Sequence, residues 1–112
     1  MAPIVLVVDD EPLLLDTLCD MRADLGCEAV CVDCPGKGLA TLAADKRIAL
    51  LITDVQMPMM DGFELAERAR ERRPDMPIVL MSSKELGRPG FPVIRKPFTQ
   101  PQLAAIVAPI VR

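Results

Sequence analysis

Short apolar runs, each followed by polar residues, constrain the fold of this chain more than any other feature. The run Ile4–Val8 contains only aliphatic residues and is followed directly by Asp9 and Asp10. A strand that is apolar on both faces is typical of a parallel sheet covered by helices on each side, because a half-solvated strand alternates with polar residues. Ile48–Thr53 and Pro77–Met81 largely repeat the pattern. These three segments predict the centre of a parallel sheet.

Two further strands and four helices complete the predicted pattern. The strands are expected at Cys27–Val32 and Pro92–Arg95. Apolar residues at helical spacing, with proline near the starts and glycine or proline at the ends, predict helices at Pro12–Leu25, at Pro35–Ala44, at Phe63–Arg73 and from the capping box Thr99–Gln102 through Val107. The alternation predicts an α/β fold, a doubly wound parallel sheet of five strands with helices on both faces.

The connection before the last strand is short. Nine residues lie between Ser82 and Pro92, whereas a helical crossover usually takes at least about ten to twelve. At most one helical turn, Ser83–Leu86, fits there. The helix between the fourth and fifth strands is therefore predicted to be abbreviated or missing.

Composition and charge argue against several classes of function. The 112 residues are expected to form one domain, 1–112, with no output domain. A net charge of −3 without a basic stripe disfavours direct binding of nucleic acid. No apolar run approaches the roughly 20 residues of a membrane span, and the N-terminus lacks the basic segment of a signal peptide. We expect a cytoplasmic protein that contacts neither nucleic acid nor membrane.

The four cysteines, Cys19, Cys27, Cys31 and Cys34, have two interpretations. Cys31 and Cys34 have the C-x-x-C spacing of redox and zinc sites, but the chain contains no histidine. A four-coordinate zinc site would therefore need Cys19 or Cys27 to converge on that pair. Because thiols without a secretory signal generally stay reduced, we expect reduced cysteines in the core and near the surface.

Residues with complementary chemistry follow the predicted strands at their carboxyl ends. Ligands of an open α/β sheet bind outside those ends, near the switch in strand order. The residues there are Asp9, Asp10, Asp54, Ser82, Ser83 and Lys96. Crowded carboxylates repel one another and would either raise a pKa or recruit a cation, and their hard oxygens favour Mg²⁺. A carboxylate beside Mg²⁺, a lysine and hydroxyls would supply the nucleophile and the positive charge for phosphoryl transfer, so the placement suggests an aspartyl-phosphate site.

Four segments give the chain a specific resemblance. They are Val7–Pro12, Thr53–Gly62, Pro77–Ser82 and Arg95–Phe98, which read VVDDEP, TDVQMPMMDG, PIVLMS and RKPF. In this combination and order they resemble the receiver domain of bacterial two-component response regulators, from Ile4 to the end of the chain. The resemblance implies a flavodoxin-like fold and a protein that is itself phosphorylated, not an enzyme with turnover.

The resemblance also implies roles for the acidic residues. Asp54 would be the phosphoacceptor, and the donor would be a phosphohistidine on a sensor histidine kinase or a histidine phosphotransfer protein. Asp10 would ligate Mg²⁺ directly and Asp9 largely through water, with Asp54 itself and the backbone carbonyl of Gln56 completing the metal site. The phosphorylated form would then bind a downstream protein.

Further roles concern the groups around the phosphoryl group. Lys96 would pair with it, and the Ser82 hydroxyl would move to bond it. Pro97 would follow a cis peptide, which X-Pro bonds adopt at modest cost. Met57–Pro58 and Asp61–Gly62 would shape the loop over the site.

Two departures from the family pattern concern the switch region. Besides the short connection, the aromatic switch position three residues before the lysine is Val93, for which Phe91 could substitute. Because the Ser83–Phe91 segment has few apolar side chains to bury, we expect it to be mobile and to become ordered on phosphorylation. Such short connections are similar to those of receivers in hybrid sensor kinases and some single-domain relatives.

Gln56 and Lys84 flank the expected path of attacking water. Each lies two residues beyond a site residue, Gln56 beyond Asp54 and Lys84 beyond Ser82. We therefore expect them to modulate the lifetime of the phosphorylated state, together with Ser83; the alternative is that each is a solvated loop residue.

Two other functions stay open at this point. One is a pseudo-receiver that serves only as a binding surface, which the intact Asp9, Asp10, Asp54 and Lys96 disfavour. The other is a small-molecule Mg²⁺ phosphatase. Enzymes of that kind typically carry a second acid two residues after the nucleophile, and this chain has Gln56 there. We also expect no further domain that would cover a substrate.

Overall fold

A five-stranded parallel sheet forms the centre of the protein. The computed structural model describes residues 3–11, 26–57, 60–87 and 90–110. The strands are β1 (Ile4–Val8), β2 (Glu28–Val32), β3 (Ile48–Asp54), β4 (Ile78–Ser82) and β5 (Val93–Arg95), in the order β2-β1-β3-β4-β5. The predicted sheet is confirmed. The predicted helix over 12–25, Cys19 and Pro58 lie outside the described residues.

Three helices flank the sheet within those described ranges. They are α1 (Pro35–Ala44), α2 (Gly62–Arg72) and α3 (Gln100–Val107), the last followed by a 3₁₀ turn, Ala108–Ile110. Their starts follow local chemistry. The Asp61 side chain accepts a hydrogen bond from the Glu64 backbone N–H at the start of α2, and Thr99 and Gln102 form a capping box at the start of α3.

The two faces of the sheet bury separate apolar clusters. On one face, Leu6 and Val8 of β1 share a cluster with Leu42 of α1 and Leu65 of α2. The opposite face carries a second cluster, made from Val5, Val7, Leu50, Ile52, Leu103 and Val107 among others. Helices therefore cover both faces, which confirms the doubly wound architecture.

The connection between β4 and β5 contains no helix in residues 83–87 and 90–92. This confirms the predicted loss of a helix. The segment has few apolar side chains, and the structure packs both Leu86 and Phe91 against one cluster, with Phe91 only 8% exposed. With no helix there, an aromatic ring covers this part of the sheet.

The cysteines differ from one another. Cys27 and Cys34 are free thiols, as expected, but Cys31 is disulfide-bonded. The expectation of reduced cysteines is therefore wrong at Cys31. It rested on compartment alone, and compartment does not determine which sulfur atoms a fold brings within bonding distance.

Among the described residues, no helix has both the length and the apolar character that a bilayer-spanning segment requires.

Candidate functional site

Three aspartates meet at the carboxyl edge of the sheet. Asp9 and Asp10 follow β1, and Asp54 is the last residue of the neighbouring strand β3. The strands are in a register that pairs Val8 with Thr53, so the acids come together. One carboxylate oxygen from each lies within 4.8 Å of the others. Asp9 and Asp54 are buried, at 0% and 6% exposure, whereas Asp10 is exposed.

Lys96 places its ammonium group between the two buried carboxylates. Its Nζ lies 2.8 Å from Asp9 Oδ2 and 3.4 Å from Asp54 Oδ1. The backbone N–H of Lys96 donates to the Ser82 carbonyl at 2.8 Å, and the Lys96–Pro97 peptide is cis, as the sequence resemblance implied. The other carboxylate oxygen of Asp9 accepts from the Glu11 backbone N–H at 2.9 Å. Asp9 is thus held on both sides.

The charges in this cluster shift one another's protonation. Burial, together with the negative charge of Asp9, raises the pKa of Asp54 above its ordinary value, and Lys96 only partly opposes that rise. Burial alone would lower the pKa of Lys96, but its hydrogen bond to Asp9 and the two carboxylate charges outweigh burial and raise the pKa. Lys96 therefore remains a cation at neutral pH. The ionised form of Asp54 is disfavoured relative to the protonated form, so an additional positive charge nearby would stabilise it.

Ser82 lies at the same edge, with its hydroxyl committed to the following loop. The residue is 3% exposed. Its hydroxyl donates to the Lys84 carbonyl at 2.9 Å and accepts from the Lys84 backbone N–H at 3.0 Å. A group that draws this hydroxyl elsewhere must break the bond to the Lys84 carbonyl.

The loop after β3 is tied closely to the end of that strand. The Val55 N–H donates to Met81 in β4 at 3.1 Å, and the Gly62 N–H donates to the Val55 carbonyl at 2.8 Å. A Cβ atom on Gly62 would overlap the Asp54 carbonyl oxygen. Gly62 therefore lets α2 start directly against the backbone of Asp54, which defines the loop-shaping role expected for Asp61–Gly62.

The expected modulating residues occupy exposed positions. Gln56, Ser83 and Lys84 are all exposed, and Met57 is half-buried. Their side chains have access to solvent at the same edge as Asp54, which is consistent with a position near attacking water.

The switch residues have an arrangement that sequence reasoning only partly anticipated. Val93 is half-buried, while Phe91 is buried beneath Arg70 of α2, whose Cζ atom lies 3.9 Å from the ring centroid. Sequence reasoning missed Arg70, because its partner lies about twenty residues away and no local pattern links the two.

The donor set suits a magnesium ion. Three carboxylates supply hard anionic oxygens, and Asp10 is exposed enough to meet a hydrated cation. The two buried carboxylates share one ammonium group, so a divalent cation would offset charge that Lys96 leaves uncompensated.

Comparisons with known proteins agree with this geometry. The family model described as the response regulator receiver domain matches residues 5–108. The response regulator protein FleR of Pseudomonas aeruginosa is 40% identical over 83 residues, which cover 74% of this chain and 17% of that protein. The chain thus spans less than two thirds of that relative.

Solved structures show the same architecture. A response regulator receiver protein from Sinorhizobium medicae is 31% identical, with a TM-score of 0.86, and the match covers 98% of this chain and 94% of that one. A CheY-like receiver domain from Methanospirillum hungatei is 24% identical, has a TM-score of 0.90 and matches over 97% and 93% of the two chains. At that identity, the second likeness concerns the fold alone.

Proposed function

Since this chain belongs to the response regulator receiver domain family, we propose that Asp54 accepts a phosphoryl group from a phosphohistidine. The donor is a sensor histidine kinase or a histidine phosphotransfer protein. The carrying observation is the position of Asp54, at the end of a buried strand with Lys96 Nζ 3.4 Å from its Oδ1. The domain acts in signalling by being modified itself, without turnover on a separate substrate.

The transfer is an in-line displacement at phosphorus. An Asp54 carboxylate oxygen forms the new P–O bond while the P–N bond of the phosphohistidine breaks, and its electron pair stays on the imidazole. Lys96 is already placed beside the attacking carboxylate, so its charge meets the phosphoryl oxygens without reorganisation. Asp9 keeps Lys96 in place through the 2.8 Å ion pair.

The Ser82 hydroxyl responds to phosphorylation of Asp54 by changing its hydrogen-bond acceptor. The hydroxyl now donates to the Lys84 carbonyl, and a phosphoryl oxygen is a stronger, charged acceptor than that carbonyl. The hydroxyl therefore changes partner when Asp54 is phosphorylated. The Lys84 carbonyl then loses its hydrogen-bond donor, so phosphorylation changes the hydrogen bonding of the loop after β4.

The carboxylates of Asp10 and Asp54 and the backbone carbonyl of Gln56 would hold Mg²⁺ directly, and Asp9 would hold it largely through water. When bound, the ion neutralises charge on the phosphoryl oxygens. Gln56, Ser83 and Lys84 set how easily water reaches the acyl phosphate, and so set its lifetime. A downstream protein recognises the phosphorylated form, and we place these steps in the cytoplasm.

A small phosphodonor should phosphorylate the purified chain. Incubation with acetyl phosphate and Mg²⁺ is expected to add the mass of one phosphoryl group, measured on the intact protein. Hydroxylamine should remove the added mass, because acyl phosphates react with it and serine phosphates do not. Chelation of Mg²⁺ should prevent the addition. An unmodified mass would favour the pseudo-receiver interpretation, and a hydroxylamine-stable product would place the group on another side chain.

Asp10→Asn is expected to weaken Mg²⁺ binding about tenfold, because one of few anionic ligands is lost. The chain has no tryptophan, so isothermal titration calorimetry or amide chemical shifts are the appropriate measurements. Asp33→Asn is the matched control. Asp33 directly follows β2 at the same edge of the sheet, but its carboxylate pairs with Lys37 at 3.0 Å. Equal Mg²⁺ affinities for the two variants would contradict the role of Asp10.

A further inference from the structure

The segment that joins β4 to β5 is fastened to the protein near both ends. At the β4 end, the Ser82 hydroxyl holds the backbone of Lys84. At the β5 end, Phe91 enters the apolar cluster that α2 also lines. The two attachments differ in kind, since the first consists of hydrogen bonds alone, including a long one from Arg95 Nη2 to the Ser83 carbonyl at 3.4 Å, and the second combines ring burial with a cation.

Three residues form the second attachment, which we call the clasp: Arg70, Gly90 and Phe91. The Arg70 Cζ atom stands 3.9 Å from the centroid of the Phe91 ring, and Arg70 Nη2 donates to the Gly90 carbonyl at 3.1 Å. Gly90 has a φ of 73°, a left-handed conformation that glycine adopts without strain. The guanidinium group therefore stacks on the ring while also bonding the adjacent backbone.

The clasp replaces part of what a helix would cover. With no helix in residues 83–87 and 90–92, the sheet face at β4 and β5 is covered in part by Phe91, which is 8% exposed. Ring burial, a cation–π contact and a charge-assisted hydrogen bond together outweigh a neutral bond such as that between Ser82 and Lys84. The clasp end is therefore the more firmly attached.

The other end is directly coupled to the site. Ser82 lies beside Lys96, and the backbone N–H of Lys96 donates to the Ser82 carbonyl. Ser83, Lys84 and Glu85 are exposed, so once the Ser82 hydroxyl turns away their backbone keeps the longer bond from Arg95 Nη2 to the Ser83 carbonyl, at 3.4 Å, and has room to move into solvent. Movement of residues 83–87 cannot extend past Gly90, because Arg70 holds the Gly90 backbone.

We propose that the clasp is a static anchor that confines the response to phosphorylation to residues 83–87. In this arrangement the Phe91 ring keeps its contact with Arg70 in both states, and it does not act as a rotating aromatic switch. The switching half of this inference rests on the proposed function of Asp54. The existence of the anchor does not.

The anchor is tested first in the unphosphorylated protein. The chain has three phenylalanines and no tyrosine or tryptophan, so ¹³C labelling of phenylalanine rings gives few signals, and the spectrum of Phe91→Leu identifies that of Phe91. Arg70→Gln should shift the Phe91 ring signals and leave those of Phe63 and Phe98 in place. It should also speed amide exchange at Leu80 about tenfold, because the Leu80 N–H donates to Pro92, next to the clasp.

Arg68→Gln is the matched control on the same helix. Arg68 forms a long ion pair with Glu64, at 3.6 Å, and both side chains are more than half exposed. This variant should leave the Phe91 ring and the Leu80 exchange rate unchanged. Identical spectra and exchange rates for the Arg70 and Arg68 variants would overturn the clasp.

Beryllofluoride, which mimics the phosphoryl group, tests the switching half. In the unsubstituted chain with Mg²⁺, amide signals next to Asp54 and in residues 83–87 should shift, while the Phe91 ring signals stay in place. In Arg70→Gln, the shifts should extend to Phe91. Movement of the Phe91 ring in the unsubstituted chain would overturn the static anchor alone. Unshifted signals around Asp54 would instead contradict the proposed function and the switching half, and the unphosphorylated comparison would still decide the clasp.

Discussion

Asp54→Asn is expected to abolish phosphoryl transfer to this chain. The amide has nearly the shape of the carboxylate, but it has no anionic oxygen to attack phosphorus. Incubation with a radiolabelled, autophosphorylated histidine kinase, or with acetyl phosphate and Mg²⁺, should give no label or added mass above background. Because the other groups at the edge stay in place, the loss would be specific to the nucleophile.

Asp61→Asn is the matched control for this variant. Asp61 lies in the same loop, and its role is to cap α2, a role that asparagine fills about equally well. The control should accept the phosphoryl group as the unsubstituted chain does. Stable, stoichiometric labelling of Asp54→Asn would place the acceptor elsewhere.

Asp54→Asn should also be more resistant to unfolding than the unsubstituted chain at neutral pH when Mg²⁺ is chelated. Burial and Asp9 raise the pKa of Asp54 in the folded state above its ordinary 3.8, so the folded chain binds more protons than the unfolded chain just above that pH. Stability then falls as pH rises through this interval, and asparagine removes that loss. The gain in unfolding free energy should be largest at neutral pH and should vanish well below pH 3.8, as measured by urea denaturation. A variant that is less stable at neutral pH would contradict this.

Sequence reasoning could locate the site because strand ends are local features. Asp9, Asp54 and Lys96 each follow an apolar run, and parallel strands bring their carboxyl ends to one edge. The length of the β4–β5 connection likewise predicted the missing helix. What replaces that helix was not predictable, because the contact between Arg70 and Phe91 depends on how α2 packs against the sheet.

Gly62 is a residue whose meaning depends on the same packing. Its sequence context indicated only a loop, whereas the structure shows the first residue of α2 pressed against the end of β3. An added Cβ atom would overlap the Asp54 carbonyl oxygen and would lie 2.8 Å from the Asp54 carbonyl carbon and from Val55 Cα. These are backbone atoms, and the Asp54 carbonyl also accepts the Thr53 hydroxyl at 3.0 Å. The backbone of Asp54 and Val55 cannot make room for a Cβ atom unless the end of β3 or the start of α2 moves.

Gly62→Ala is therefore expected to impair both stability and phosphorylation. Overpacking of this kind costs about 1–3 kcal/mol of unfolding free energy. A displacement of Asp54 by about 1 Å from Lys96 would slow phosphorylation by up to about a hundredfold. Urea denaturation and the rate of mass gain with acetyl phosphate measure the two effects. The rate should be compared under conditions in which the variant is fully folded.

Gly36→Ala separates this steric effect from the general effect of replacing glycine in a helix. Gly36 lies in the first turn of α1, and a Cβ atom there would meet nothing within 4 Å. Alanine at this position should leave phosphorylation unchanged and raise the unfolding free energy by about 0.5–1 kcal/mol, because it favours helical backbone more than glycine does. If Gly62→Ala matched Gly36→Ala in both stability and rate, the contact between α2 and Asp54 would not position the acceptor.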